Sequence, residues 1–443
     1  MLAKTFSRGG RHIPHHKGAT NSKSIVEMPA PKKVIIPLQQ HIGAPCDPLV
    51  KVGDKVKLGQ KIGESLHFIT SPVHASVSGE VISIAHEKLL DGCQVLSIVI
   101  ANDGLDDPIA SKHRAISKLS AKQIRKIIKD LGMVGLGGAG FPTHVKISSA
   151  KPIDTVVING AECEPYLTCD HRLMVEKGEE LVYGLKTLMK AVGASRGVIG
   201  IEVNKLDAIA GLQEIVRSHE ALEVVALQIR YPQGAEKQLI KAAVDREVLS
   251  GCLPSEVGCL VSNVHTAVSI AQGIRDGISL YQRVVTVSGR HIHDPRNVMV
   301  RIGTPIQALL DFCGGINGTP AVVVGGGPMT GPAVVNLEAP VVKNLSGVLL
   351  LGEDEIAQDE NLPCIRCARC VDACPMGLTP NILGLLSSRD EVVKAEKLHI
   401  MDCVECALCS YVCPSRRGLV SWIKQGKKSL VVAKSAEQQG EAN

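Results

Sequence analysis

Between residues 34 and 100, apolar and polar residues alternate in short runs. VKVGDKVKLGQKIGE (50–64) and SPVHASVSGEVISI (71–84) carry Gly or Pro at regular steps. That pattern predicts half-buried strands joined by tight turns. From residue 117 the period lengthens. SAKQIRKIIKDLG (120–132) has apolar residues near i, i+3, i+4 and i+7, which predicts a helix ending at Gly132. DTVVING (154–160), RGVIGIE (196–202) and LEVVALQI (222–229) predict buried strands, and EELVYGLKTLMKAVG (179–193) and DAIAGLQEIVRSH (207–219) predict helices between them. Strands alternating with helices predict a parallel sheet covered on both faces. Strands return from 284, as VVTVSGRH (284–291), VMVRIGTPIQALLDFCGG and TPAVVVGGGPMTGPAVV, and read as a small α+β module. EDEIAQDE (353–360) reads as an acidic linker, 361–423 as a cysteine module, and the last twenty residues as a polar, frayed tail.

The chain has 443 residues, too many for one ordinary core, and its length predicts about three domains. With 45% hydrophobic and 21% charged residues it has a globular composition. No apolar run approaches the roughly 18 residues of a membrane helix. Disorder, collagen and a polytopic membrane protein are excluded. Aromatic residues are only 2%, which argues against a stacking platform for single-stranded nucleic acid. Charge is uneven. Residues 1–33 hold seven Lys/Arg against one acid, and residues 414–443 six against two, so the body between them is net acidic. Two separated basic ends do not make a nucleic-acid surface; they read as solvated arms, or as contacts for anionic lipid or an acidic partner. His12, His15 and His16 fall in the first arm and read as part of it, not as a metal site. MLAKTFSRGGRHIPHHKGAT has no apolar core of a secretory signal. A reducing cytosol is therefore expected, where the 15 cysteines are metal ligands or core thiols and not disulfides.

Eight cysteines form CIRCARCVDACP from Cys364 and CVECALCSYVCP from Cys403. This is C-x2-C-x2-C-x3-C-P, twice. Three thiolates at steps of three wrap one cluster, and the fourth, before Pro, turns to the other. Two [4Fe–4S] clusters with crossed ligation follow: Cys364, Cys367, Cys370 and Cys413 for one, Cys374, Cys403, Cys406 and Cys409 for the other. Zinc sites favour pairs of C-x2-C, not triplets closed by Cys-Pro. The stretch between the copies reads as helix. The other seven cysteines read as small buried hydrophobes, with Cys163 open to redox exposure. Two clusters carry single electrons, so a two-electron cofactor is expected to feed or drain them.

GLGGAGFPTHVK (135–146) places four glycines in six positions, which lets a ligand approach the backbone. It follows a helix and so is not a dinucleotide fingerprint, which follows a strand. NGAECEP (159–165) lies at the end of a predicted strand, where α/β sheets place ligands. YPQGAEK (231–237) lies at the end of another, and NVHT spans 263–266. Gly325–Gly327 lack the Lys-Ser/Thr of a phosphate loop and read as a turn.

In order and spacing these four segments resemble the flavin-binding subunit of respiratory complex I. The early VxxGDxVxxGQxIG pattern resembles lipoyl/biotinyl barrel-sandwich domains, without the lysine that carriers modify. The chain over about residues 1–425 resembles the C subunit of the Rnf (Rsx) ion-translocating electron transport complex. The resemblance implies a multidomain α/β protein. It comprises a basic arm (1–33), a barrel-sandwich hybrid domain (34–105), a Rossmann-like FMN/NAD(H) domain (106–280), a β-grasp module (281–352), a two-cluster ferredoxin-like helical domain (361–423) and a polar tail (424–443). It implies FMN lined by Gly135, Gly137, Gly138, Ala139, Gly140 and Phe141, with its phosphate met by Lys146, Asn263 and Thr266. Asn159, Glu162 and Glu164 face the ring or ribityl chain. Tyr231, Gly234 and Glu236 border the nicotinamide, and Glu164 and Glu236 act as catalytic carboxylates. Leu136 and Ala235 stand where the flavin-binding chains of complex I have Arg and Glu, on the nucleotide side. The implied function is electron exchange between NAD(H), FMN and two [4Fe–4S] clusters, with integral membrane subunits and a ferredoxin-like subunit or carrier as partners. The implied place is the cytoplasmic side of the inner membrane, held peripherally. The rivals are a ferredoxin-like relay that does not react with NAD(H) and a soluble dehydrogenase. The latter is disfavoured because no His or Lys with a base role lies beside the flavin segments.

Overall fold

The computed structural model describes residues 3–110, 112–356 and 360–441, so part of the expected acidic linker lies outside the described residues. Lys33–Pro37, Gln94–Asn102, Gly79–Lys88 and Lys55–Val56 form an antiparallel sheet in that order. Asp47–Pro48, Lys61–Glu64 and Val73–His74 form a smaller antiparallel sheet. The predicted alternation is met: Val81 is fully buried while Ile82 faces out. Gly79 is required where two strands nearly touch, because a Cβ there would lie 1.9 Å from the Ala101 carbonyl oxygen.

The second unit is a four-stranded, wholly parallel sheet, ordered Leu222–Leu227, Arg196–Glu202, Thr155–Gly160, Cys259–Asn263. Its strands carry central apolar runs, such as Val156–Ile158, Val198–Ile201 and Val224–Leu227, because both faces are covered. Val156 and Ile158 join the core that includes helices Ala121–Asp130, Gly178–Val192 and Val264–Asp276, whereas Val157 and Val198 face Leu239, Ile240 and Ala243 of helix Glu236–Val244. The first helix opens on a capping box, with the Ser120 N–H donating to Gln123 Oε1 (2.8 Å) and the Gln123 N–H to Ser120 Oγ (3.3 Å). Thr155–Gly160 has a neighbour on each side, so chain order reverses at its edge. Ligands in such sheets bind beyond the carboxyl ends at that reversal.

Val26–Glu27, Arg296–Arg301, Gln282–Gly289, Gly347–Leu351 and Val322–Gly325 make a third, mixed sheet carrying helix Ile306–Phe312. The cysteine module follows, with helices Pro380–Ser388 and Val392–Lys397 between its two motifs. The molecule is thus a multidomain α/β protein.

Two expectations are corrected. The tail is not frayed: Leu419–Glu441 is one helix, because Leu419, Ile423 and Leu430 are buried, the last two against Leu383 and Ile400. Nor are residues 3–25 a solvated arm. They run across the parallel sheet and the cysteine module, with Phe6, Ile13, Lys17 and Thr20 buried. Lys4 bridges to Leu227 and Arg11 to Tyr231. Among the described residues, no helix is long and apolar enough to cross a membrane.

Candidate functional site

A cavity of about 820 Å³ opens at the carboxyl end of Thr155–Gly160, within the size range of cofactor sites. Gly137–Ala139, Asn159, Glu162–Glu164, Asp170, Gly234 and Asn263 come from the parallel-sheet unit. Gln39–Ile42 come from the first unit, Gly325–Gly327 and Thr330 from the third, and Val404, Glu405 and Lys424 from the cysteine module. All four units therefore meet at one space.

The glycine loop is held from below. The Leu136 N–H donates to Thr266 Oγ1 (2.9 Å) and the Gly135 N–H to the Phe141 carbonyl (2.9 Å). Gly137 lies against Asn263, where a Cβ would come within 2.8 Å of Nδ2. Asn263 caps helix Val264–Asp276, its Oδ1 accepting from the His265 and Thr266 N–H groups, and donates through Nδ2 to Asp170 Oδ2 (2.6 Å). A glycine cradle beside a helix start suits a phosphate. Glu162, in a left-handed backbone conformation, accepts the Asp170 and His171 N–H groups at the start of helix Cys169–Glu176. Burial, then the nearby Glu162 charge, push the Asp170 carboxyl up to about 7. Asn159 is tied by Nδ2 to the Gly234 carbonyl (2.9 Å).

Glu164 lines the cavity and is bonded through both carboxylate oxygens. Its Oε1 accepts from Thr330 Oγ1 (2.7 Å) and its Oε2 from the Met329 N–H (3.0 Å), so it holds the loop of the third unit over the cavity. Gly327 permits the approach, since a Cβ there would sit 2.3 Å from Oε2. Burial raises the Glu164 pKa against the pull of these bonds. The Gly325–Gly327 turn is therefore a cavity wall and not only a bend.

The structure does not bring every expected residue to the cavity. Lys146 sits in the helical turn Thr143–Lys146 and faces the start of helix Glu236–Val244, where its Nζ pairs with Glu236 Oε1 at 2.6 Å. Both are about two-fifths exposed and neither lines the cavity. Gly135, Gly140, Phe141 and Thr266 support the loop from outside the wall. Tyr231 lies behind it, donating its hydroxyl to the Cys406 carbonyl at 2.9 Å. Two lysines that sequence reasoning passed over hold the 161–167 loop. Lys17 Nζ donates to the carbonyls of Glu162 (2.9 Å), Glu164 (2.9 Å) and Leu167, and the fully buried Lys205 to that of Ala161 (2.7 Å). Lys17 gave one hint, its place among the N-terminal basic residues, and Lys205 gave none.

In the cysteine module, Cys374, Cys403, Cys406 and Cys409 line one small pocket, and Cys364, Cys367, Cys370 and Cys413 another. Each takes three sulfurs from one motif and one from the other. The backbone curls alike in both, with positive φ at Arg366 and Ala368 and at the matching Glu405 and Ala407. Four sulfurs in an apolar pocket suit an iron–sulfur cluster. Burial, then the neighbouring sulfurs, push the Cys406 thiol up to about 12, a state that metal charge reverses. The first pocket abuts the cavity: Val404 lines both. Cys364 and Cys367 of the other are exposed. Of the scattered cysteines, Cys93 is exposed and Cys163 and Cys252 half-buried, so not all are core thiols.

Four family models match in turn: the RnfC barrel sandwich hybrid domain (residues 4–105), the Nuo51 FMN-binding domain (128–272), the SLBB domain (284–333) and the 4Fe-4S dicluster domain (363–416). The chain is 45% identical over 430 residues to the C subunit of the Na(+)-translocating ferredoxin:NAD(+) oxidoreductase complex of Acetobacterium woodii, covering 96% of this chain and 97% of that protein. It is 42% identical to the C subunit of the proton-translocating ferredoxin:NAD(+) oxidoreductase complex of Clostridium ljungdahlii, covering 96% and 93%. It is 38% identical to the C subunit of the ion-translocating oxidoreductase complex of Rhodobacter capsulatus, covering 90% and 78%. An NAD+-reducing [NiFe]-hydrogenase shares the fold over 72% of this chain and 62% of that one, with TM-score 0.50 and 18% identity. FMN and [4Fe–4S] clusters are thus the cofactors of this chain. With identity at this level along nearly its whole length, the chain belongs to the family of C subunits of ion-translocating oxidoreductase (Rnf) complexes.

Proposed function

We propose that this chain is the peripheral electron-transfer subunit of a membrane-bound, ion-translocating ferredoxin:NAD oxidoreductase, and that FMN occupies the 820 Å³ cavity. One observation carries the reading: Val404 and Glu405 form cavity wall while the flanking Cys403 and Cys406 line a cluster pocket. When bound, FMN exchanges a hydride with NAD(H) and passes electrons singly to the clusters. The protein supplies placement. Backbone of Gly137–Ala139 and the helix start at Asn263 receive the phosphate. Asn159, Glu162 and Asp170 present polar groups to the flavin, and Glu164 closes the Gly325–Thr330 loop over it. Cys374, Cys403, Cys406 and Cys409 hold the cluster next to the cavity; Cys364, Cys367, Cys370 and Cys413 hold the one nearer solvent, which serves the partners.

In finer terms, the parallel-sheet unit is Rossmann-like and the third unit β-grasp-like. The chain sits on the cytoplasmic face of the inner membrane against integral membrane subunits, with a ferredoxin-like subunit or carrier as electron partner. Anaerobic absorbance spectra test the reading. NADH should bleach the flavin and the broad cluster bands together. Cluster bands that respond to dithionite but not to NADH would replace it with a relay that does not react with NAD(H).

A further inference from the structure

The basic N-terminal segment crosses, in the fourteen residues from Lys4 to Lys17, both centres that electron transfer must bring together. The Gly10 N–H donates to the Ala373 carbonyl at 2.9 Å, next to the cluster cysteine Cys374. Gly9 lies flat on that turn: a Cβ would sit 2.4 Å from the Cys374 carbonyl oxygen and 2.8 Å from that of Ala373. Both glycines have positive φ, +62° and +71°. Arg230 clamps them from the sheet side, donating to the carbonyls of Phe6 (2.7 Å) and Gly9 and stacking over the Phe6 ring. The strand then pairs with Tyr231 through Arg11 (3.0 and 2.8 Å). It buries Ile13 against Tyr231, Ala373 and Leu408, in a cluster that also takes in Cys163 and Cys406. It ends on the cavity wall, where the His15 carbonyl accepts the Tyr166 N–H (2.8 Å) and Lys17 gathers three carbonyls of the 162–167 loop.

We propose that residues 4–17 are a strap that sets the approach of the Cys374/Cys403/Cys406/Cys409 cluster to the flavin cavity, with Gly9 the positioning residue. The inference rests on the electron-transfer reading above and deepens it. Main-chain bonds fix the strap to the cavity loop and to the cluster turn at once, so on the Cys374 side one short piece of backbone ties the two together. Gly9 can be nothing larger because its neighbour is backbone, which cannot swing aside. A side chain there displaces the Cys374 turn and leaves the cavity and the second cluster, held by other residues, in place.

The test compares Gly9→Ala and Gly9→Val with Gly104→Ala, which introduces a Cβ at a similar positive φ (+75°) but with open space around it. The full chain is loaded with FMN and iron. In the Gly9 variants, FMN and iron per chain should match wild type and NADH should bleach the flavin at the wild-type rate. The cluster bands should follow several-fold more slowly, because electron tunnelling weakens as the two centres move apart or turn away from each other. In dithionite-reduced samples, which need no NADH, the magnetic spectrum of one cluster should shift while the other is unchanged. Gly104→Ala should match wild type throughout. Wild-type spectra and bleaching ratios in both Gly9 variants would overturn the strap. If wild-type clusters fail to follow NADH at all, the electron-transfer reading falls instead, and the dithionite spectra still decide whether Gly9 positions that cluster. A variant that loses both clusters together would also count against the proposal, because the strap touches one of them.

Discussion

The hydroxyl of Tyr231 donates to the carbonyl of Cys406 at 2.9 Å, and the same oxygen lies 3.4 Å from Glu164 Oε1. A residue expected to border a nicotinamide thus joins the cavity wall to a cluster turn. Tyr231→Phe keeps the packing and removes one hydrogen bond, of about 0.5–1.5 kcal/mol. If all of it acted on the reduced or oxidised form alone, the cluster potential would move by at most about 20–65 mV for one electron. The expected outcome is a shift within that bound for one cluster, with FMN and iron contents unchanged, read by a potentiometric titration followed magnetically. Equal shifts of both clusters would contradict the placement of Tyr231.

Two lysines separate the structural reading from the one based on sequence neighbourhood. Lys146 is next to the glycine loop in sequence but is paired with Glu236 on the surface. Such pairs contribute about 0–1 kcal/mol. Lys146→Ala should therefore leave FMN affinity within about fivefold of wild type. Lys17 is remote in sequence but donates to three carbonyls of the cavity loop from a buried position. Lys17→Met strands those carbonyls, each bond to a charged group being worth about 1.5–3 kcal/mol before non-additivity. It should lower the unfolding free energy by about 3 kcal/mol and loosen FMN more than Lys146→Ala does. Fluorescence quenching of FMN on titration with the apoprotein compares the two; the reverse order would return the phosphate to Lys146.

What was legible and what was not follows from how each segment is buried. Thr155–Gly160 and Arg196–Glu202 announced themselves because both faces are covered, so their centres, Val156–Ile158 and Val198–Ile201, carry no charged or hydrogen-bonding side chain. The crossed cysteine sets were legible because the ligand spacing is itself the chemistry. The strap was not, because its anchors, Phe6, Ile13 and Lys17, are single residues in a basic run, and its pairings with Ala373 and Tyr231 are main-chain bonds that leave no side-chain pattern. The final helix was hidden for a related reason: its buried positions Leu419, Ile423 and Leu430 are spread among lysines, serines and glutamines. The Gly325–Gly327 wall was missed because its partner, Glu164, bonds to Met329 across 165 residues of chain.

Asp170 gives the fold a pH dependence with a definite sign. Its carboxyl is desolvated first and then faces Glu162, while Asn263, Arg283 and Lys205 pull the other way; the balance lifts it to about 7. A raised carboxyl favours the protonated form in the fold. Its contribution is fully present below about pH 4, the unfolded value, and is lost as pH rises toward about 7. Asp170→Asn keeps the size and an acceptor and removes the titration. The difference in unfolding free energy between the variant and wild type should move in favour of the variant from pH 4 to 7, by up to about 1.4 kcal/mol per unit. It should be flat above pH 8. Denaturant titrations across that range measure it, and a flat difference throughout would mean that Asp170 is ionised in the fold.

The cysteine pockets make the sharpest forecast about the clusters. Cys374 follows Cys370 by four residues, yet its sulfur lines the pocket of Cys403, Cys406 and Cys409, while Cys413 lines that of Cys364, Cys367 and Cys370. Removing one of four thiolates leaves an iron without its protein ligand, so each single variant should damage the cluster to which its sulfur points. Cys374→Ala should lose the magnetic signal of the cluster beside the cavity, and with it the passage of electrons from the flavin. Cys413→Ala should lose the other signal while the cavity-side cluster still follows the flavin on addition of NADH. The Cys403–Cys409 turn also forms cavity wall through Val404 and Glu405. Cys374→Ala should therefore weaken FMN retention slightly, whereas Cys413→Ala should not. The exchanged result, with Cys413→Ala losing the cluster that follows the flavin and Cys374→Ala losing the other, would show that each motif keeps all four of its own sulfurs.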